Sequence, residues 1–196
     1  ITPKTNIICS GRYIYGKNKR IMQCHCGGGY RNLDSGISYS CNSYFAMAFR
    51  TTIEKYSNAS QSMDIWSNHI KSFGLGNFLG NDLSVGKKGN IPNGNYYDKW
   101  YPEFQWGATT IISNAIGQGE ILVTPIQLAN MTAAIANKGH YYTPHIIKSI
   151  ENENMDSNFT TPKQTSINPE YYDAIIEGMH NVYNKGTASF LKVPGI

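Results

Sequence analysis

Ala115-Ile116-Gly117-Gln118-Gly119-Glu120, followed by Thr124-Pro125-Ile126-Gln127-Leu128-Ala129, carries the clearest structural punctuation in the chain. Its second half is a helix start written in full. Thr124 and Gln127 form a capping box: the threonine oxygen accepts the Gln127 amide proton, and the glutamine reaches back to the threonine backbone. Pro125 occupies the first helical position, where its missing N–H costs nothing. Leu128, Met131 and Ile135 are expected as the buried stripe, and Gly139 ends the helix. The Gly117-Gln118-Gly119 turn before it is no phosphate loop, because no Gly-Lys-Ser/Thr follows.

Working outward, the same punctuation marks further helices. Asn42 to Ser57 carries Tyr44, Phe45, Ala48, Phe49 and Ile53 at helical spacing. Ser60 reads as the cap of a second helix with Met63, Trp66, Ile70 and Phe73 on one stripe, stopped by Gly74. Asn168-Pro169 opens the last helix, with Tyr172, Ile175, Ile176, Met179 and Val182 expected inside and Gly186 after it. Tyr13 to Met22 reads as a hairpin about a Gly16/Asn18 turn. Tyr141 to Ile150 reads as an edge strand or extended segment, given Pro144, and residues 151–167 as a polar loop. Two regions result: 1–36, a Cys/Gly-rich hairpin region, and 37–196, a helical part with a long loop at 74–107.

Composition narrows the classes. The 196 residues are 40% hydrophobic with 14 tyrosines, too aromatic for a disordered chain. No run of about 18 apolar residues spans a membrane, and the opening residues do not read as a leader. The start at Ile1 and the finish at Val193-Pro194-Gly195-Ile196 read as cuts from something longer. The net charge of +4 comes from scattered residues such as Lys17, Lys19, Arg20, Lys87 and Lys88, without the density of a nucleic-acid stripe. No repeat of 20–50 residues suggests a solenoid. His69, His140, His145 and His180 lack ligand-spaced partners and read as surface or hydrogen-bonded histidines.

Ser40-Cys41-Asn42 precedes the Asn42 helix. In an extended or turning segment Ser40 and Asn42 point one way and Cys41 the other. Such a Ser-x-Asn is commonly an N-cap. Its order with the other motifs points further. Ser40-Cys41-Asn42-Ser43-Tyr44-Phe45, Phe73-Gly74-Leu75-Gly76, Gly80-Asn81-Asp82-Leu83, the 115–129 stretch, Asn137-Lys138-Gly139-His140-Tyr141 and Gly186-Thr187-Ala188 follow one another along nearly the whole chain. Together they resemble the class B penicillin-binding proteins, the elongation-type peptidoglycan D,D-transpeptidases. The resemblance implies an α+β, predominantly helical piece of that fold: its helical subdomain and one wall of the cleft. It implies that Ser40 relays protons, that Asn42 orients a lysine and the donor peptide, and that Gly117, Gln118 and Gly119 shape the cleft. The expected partners are D-Ala-D-Ala stem peptides, β-lactams and cell-wall elongation proteins, not nucleic acid. The expected place is the extracytoplasmic face of the bacterial cytoplasmic membrane, with the parent anchored by a single span. A β-lactamase or β-lactam sensor on the same fold, or a small zinc-binding interaction module, are the alternatives.

The family's S-x-x-K nucleophile and K-T-G strand are expected before Ile1 and after Ile196. Ser84-Val85-Gly86-Lys87 matches S-x-x-K only as a string in a Gly-rich loop, and Lys185-Gly186-Thr187 is K-G-T after a helix. The segment alone is therefore expected to be inactive.

Cys9, Cys24, Cys26 and Cys41 remain. In an extended stretch Cys24 and Cys26 face one side and His25 the other, while Cys41 points back toward them. They are read three ways: a tetrahedral structural zinc site with His25 as alternative ligand, a Cys9–Cys24 disulfide, or free thiols. Relatives hold zinc near this place through the middle residue of S-x-N; this chain has Tyr30 where a histidine ligand of those relatives would align.

Overall fold

The computed structural model describes residues 1–83, 85–103 and 105–193, so the expectation for Ser84 lies outside the described residues. The chain divides into two compact units, one of residues 1–62, 94–119 and 173–196, the other of 63–93 and 120–172. Among the described residues no helix is long and apolar enough to cross a membrane.

The first unit opens with two nested antiparallel pairs. β1 (Ile7–Cys9) pairs with β4 (Gly29–Arg31), and between them β2 (Arg12–Tyr15) pairs with β3 (Arg20–Gln23) in the register Tyr13↔Met22 and Tyr15↔Arg20. The tight turn expected at Gly16 closes with Lys19 N–H donating to Gly16 O at 3.2 Å. α1 (Leu33–Ser38) follows, capped by Asn32 and Ser35 in a reciprocal box. This helix crosses the boundary drawn at 36/37. Its six residues are too short to show a period, so only the cap could have announced it.

α2 (Asn42–Ile53) buries Tyr44, Ala46, Phe49 and Ile53. It stops four residues short of the expected Ser57, with Glu54 at its C-cap. α4 (Gly94–Trp100) sits inside the segment expected to be loop. It exists because of packing: Tyr97 is fully buried, its ring 5.1 Å from that of Trp106, and its hydroxyl accepts from Asn114 Nδ2 at 2.6 Å. No propensity signal in Gly-Asn-Tyr-Tyr-Asp-Lys-Trp could supply that. A 3₁₀ turn over Ile112–Ile116 packs against α2.

α7 (Tyr172–Asn184) is led in by a 3₁₀ turn at Pro169–Tyr171, as Asn168-Pro169 implies. Met179, expected inside, is exposed; Gly178 is the buried residue at that level, and a Cβ there would come within 2.8 Å of Ile37 Cδ1. α7 is tied to α1 through Asp34, whose carboxylate accepts from Asn181 Nδ2 at 2.7 Å and from Lys185 Nζ at 3.0 Å. Burial alone would raise the Asp34 pKa, but the bonds from Asn181 and Lys185 outweigh it and hold the carboxyl below its ordinary 3.8.

The second unit holds most of α3 (Ala59–Lys71) and all of α5 (Pro125–Ala136). α3 is capped by Asn58 and not by Ser60: Asn58 Oδ1 accepts from the amides of Ser60 and Gln61 at 2.8 and 3.2 Å, while Ser60 Oγ donates to Asp98. Gly74, with φ +85°, ends the helical stretch where a Cβ would come within 2.5 Å of Leu79. The capping box of α5 is present, with Thr124 N–H donating to Gln127 Oε1 at 2.9 Å. The buried face is not the expected one. Gln127, Asn130 and Ala134 are buried, whereas Leu128 is 45% exposed. Gln127 is interior because its Nε2 also donates to the carbonyls of Asn77 and Lys88 at 2.8 and 3.0 Å. Asn130 Nδ2 likewise donates to Phe73 O at 2.9 Å. These amides satisfy loop carbonyls that nothing apolar could.

Of the expected extended segment 141–150, only Tyr141 lies in a strand, β5 (His140–Tyr141), paired with β6 (Lys163–Gln164). The polar stretch before β6 contains α6 (Ser157–Thr160), capped by Asp156. Two histidines are hydrogen-bonded here: His69 Nδ1 to Ser166 Oγ at 2.7 Å, and His145 Nδ1 to Thr143 O at 2.7 Å.

Gln127→Ala removes three bonds and leaves two loop carbonyls unmatched; it is expected to cost about 2–4 kcal/mol, read from urea denaturation. Asp34 has a lower pKa folded than unfolded, so its contribution is complete above the unfolded value and is lost as pH falls through the folded one. In melts between pH 3 and 7, Asp34→Asn is expected to lower stability at neutral pH and to flatten the acid limb.

Candidate functional site

The site is built around the first turn of α2. Cys41 is its N-cap residue, with extended backbone, but its side chain makes no cap bond. The side chain is fully buried and turns back toward the hairpins. Ser40 before it has left-handed backbone, φ +52°, a conformation costing a non-glycine residue about 1–3 kcal/mol. The tight turn at the end of α1 imposes it: Ser40 N–H donates to Ile37 O at 3.0 Å and Cys41 N–H to Gly36 O at 2.8 Å. The N-cap alternative for Ser-x-Asn is therefore not what this serine does. Its hydroxyl is exposed and lies 3.2 Å from Thr187 Oγ1.

Asn42, half-buried, donates from Nδ2 to the Gln23 carbonyl at 2.8 Å. That bond fixes which end of the carboxamide is committed to the protein. Among the described residues its Oδ1 has no partner and is free to accept.

The four sulfurs converge. All ligand atoms of Cys9, Cys24, Cys26 and Cys41 lie within 4.8 Å of one another, and all four side chains are buried. Cys24 Sγ is 3.5 Å from Cys26 Sγ and 3.7 Å from Cys41 Sγ; Cys26 Sγ is 3.5 Å from Cys9 Sγ. Four sulfurs about 2.3 Å from a tetrahedral ion would stand about 3.8 Å apart. No disulfide joins these four cysteines, so the Cys9–Cys24 bond is not present. His25 is exposed between two buried cysteines and takes no part. Tyr30 is 73% exposed.

The surroundings favour negative charge at one sulfur. Burial opposes ionisation of Cys24, yet the neighbouring backbone amides of Ser43 and Cys26 and the nearby Cys26 and Cys9 thiols favour its thiolate, and its pKa falls to about 6. The Ser43 amide belongs to the first turn of α2, where the helix dipole also favours an anion. Cys41 moves the other way: burial first, then the Cys26 thiol and the nearby Cys24 charge, push it well above its ordinary value. A divalent cation would reverse the cost of gathering thiolates here. The loop is held from outside by Arg31, which donates to Cys26 O at 2.6 Å and lies over the Tyr39 ring. The sulfurs form one core cluster with Tyr44, against which Leu33, Phe45 and Met47 pack. That continuity argues against a free-standing zinc module.

Gly117–Gly119 is an exposed turn closing the 3₁₀ segment that packs on α2. Gly117 N–H donates to Asn114 O and Gln118 N–H to Ser113 O, at 3.2 and 3.1 Å. Among the described residues no hydrogen bond joins this turn to Ser40 or Asn42. Two cavities of this unit, about 400 Å³ beside Asp98 and Trp106 and about 310 Å³ beside Arg20 and Thr110, include none of these residues. Among the described residues, neither cavity reaches Ser40, Asn42 or the 117–119 turn.

Three neighbours of the site escaped the sequence reading: Thr187, the Gln23 carbonyl and the Ser43 amide. Gly186-Thr187 was legible as a motif, though not as a partner of Ser40. The other two are backbone groups and carry no side-chain signal.

The penicillin binding protein transpeptidase domain model matches residues 1–196. A peptidoglycan D,D-transpeptidase MrdA of Haemophilus influenzae is 30% identical over 195 residues, covering 94% of this chain and 28% of that protein. The chain thus spans less than a third of that relative. Among solved structures, Pseudomonas aeruginosa PBP2 in complex with WCK 5153 superposes with TM-score 0.78 at 26% identity, over 97% of this chain and 40% of the other. PBP2 from Helicobacter pylori, in complex with MreC, gives 0.74 at 27% identity, over 97% and 33%. With the family's motifs in order along its whole length and the match to those residues complete, the chain belongs to the penicillin-binding protein transpeptidase domain family.

Proposed function

We propose that this chain is the S-x-N part of a serine D,D-transpeptidase that cross-links peptidoglycan stem peptides through an acyl-enzyme. The observation that carries the reading is the division of labour at the α2 start: Cys41 turns inward to the sulfur cluster, while the Ser40 hydroxyl is exposed and the Asn42 carboxamide keeps an unpartnered oxygen. A catalytic lysine needs such a pair, an acceptor to hold its ammonium and a hydroxyl to carry its proton onward. Asn42 would hold the lysine and the donor peptide. Ser40 would pass a proton to the leaving amine and take one from the lysine. The nucleophile and the K-T-G strand come from parts of the parent outside this chain, and Gly117–Gly119 lines the cleft without a chemical step.

D-Ala-D-Ala stem peptides are the donors and β-lactams their mimics in this reading. Elongation partners are proposed by analogy with the H. pylori PBP2 structure with MreC and with a structure of a peptidoglycan synthase complex. The parent would work at the extracytoplasmic face of the cytoplasmic membrane, tethered there by its own span.

The four cysteines are proposed as a structural zinc site. Their number, spacing, burial and the anion-favouring first turn of α2 fit a thiolate-bound divalent ion. Cys9, Cys24, Cys26 and Cys41 would hold it. The ion would add no step to the chemistry; it would pin both hairpins to the α2 start.

A fluorescent penicillin is expected to label the full-length protein and leave the 1–196 segment dark; label on the segment, at Ser84 for instance, overturns the assignment. Ser40→Ala in the full-length protein is expected to slow acylation by about 100-fold. Cobalt titration of metal-free protein should give a thiolate charge-transfer band saturating at one ion per chain, and Cys41→Ser should abolish that stoichiometry. No band, with four thiols still reactive after unfolding, overturns the metal site.

A further inference from the structure

We propose that Thr187 is the positioning residue for Ser40: its hydroxyl aims the Ser40 hydroxyl for the proton relay. The inference rests on the relay reading of Ser40 and goes beyond it by naming the group that orients it.

The two hydroxyl oxygens are 3.2 Å apart and 147 residues apart in the chain. Their meeting is prepared by the backbone on both sides. Thr187 N–H donates to Ser38 O at 3.0 Å. Gly186 makes that approach possible, since a Cβ there would come within 1.9 Å of the same Ser38 oxygen. Upstream, Gly186 N–H donates to Asn181 O at 2.9 Å, and Asn181 and Lys185 are both bonded to Asp34. Ser38 closes the frame by donating from Oγ to Asp34 O at 2.7 Å. The end of α7 and the end of α1 are thereby locked before either hydroxyl is placed.

Ser40 needs such a partner. Its left-handed backbone takes its side chain out of the capping role, and an exposed serine hydroxyl otherwise samples all three rotamers. A threonine is a stiffer support than a serine, because branching at Cβ restricts χ1. With Thr187 donating to one Ser40 lone pair, Ser40 keeps its own proton to give and a second lone pair to receive. In the relay that proton goes to the leaving nitrogen and is replaced from the lysine, so Ser40 ends as it began and the Thr187 proton stays on Thr187.

The test uses full-length protein with Thr187→Val, Thr187→Ser, Ser40→Ala and the Ser40→Ala/Thr187→Val pair, reading the second-order rate of acylation by a fluorescent penicillin alongside the melting temperature. Thr187→Val keeps shape without the hydroxyl and is expected to slow acylation about tenfold with an unchanged melt, the scale of one lost oriented hydrogen bond. Thr187→Ser is expected to restore the rate to within about threefold, and Thr187→Val to add nothing once Ser40 is Ala. Wild-type rates in Thr187→Val beside an impaired Ser40→Ala overturn this inference alone. A loss in Thr187→Val that persists in the Ser40→Ala background makes the residue structural and also overturns it. Wild-type rates in Ser40→Ala overturn the relay itself, and the inference with it.

Discussion

The inward turn of Cys41 is the constraint on which the site depends. Its sulfur joins those of Cys9, Cys24 and Cys26 in a buried cluster under the first turn of α2. Two hairpins and a helix are brought together there by groups that are chemically demanding. Buried thiols beside a thiolate are costly unless amides or a metal compensate them. The Ser43 amide favours the Cys24 thiolate, and Asn42 Nδ2 donating to the Gln23 carbonyl couples the helix start to β3. With Cys41 committed, the backbone on either side has little freedom, and the strained Ser40 is carried outward by the same turn.

A second frame supports that turn from the opposite direction. Asp34 gathers Asn181 and Lys185, so the end of α7 is bonded to α1. Gly186 then lies against the Ser38 carbonyl, where no other residue fits. The serine thus stands between a sulfur cluster reached through its successor and a threonine reached through its own hydroxyl. Neither contact is local in the chain. This framing from both sides explains how a residue with unfavourable backbone is tolerated.

Parts of this were legible beforehand. Thr124 and Gln127 announced α5 because a capping box is closed by residues three apart. The Tyr13–Met22 hairpin followed from its turn residues and alternation. The alternation of Cys24, His25 and Cys26 expected of an extended stretch agrees with the burial, although β3 ends at Gln23. Other readings were corrected by contacts from afar. Gln127 displaced Leu128 from the buried face of α5 because the carbonyls of Asn77 and Lys88 needed donors. α4 formed inside an apparent loop because Tyr97 found Trp106 and Asn114. Asn58 took the cap expected of Ser60, whose hydroxyl went to Asp98.

The starts of α2 and α5, the tight turn at Gly16 and the motif order that marks the family were all written in the chain, since each depends on residues a few positions apart. The tertiary structure alone decided that Thr187 meets Ser40, that four sulfurs share one space, and which amides go inside. Those outcomes depend on distant segments closing on one another, and a buried polar group is stable only beside the particular partner that satisfies it.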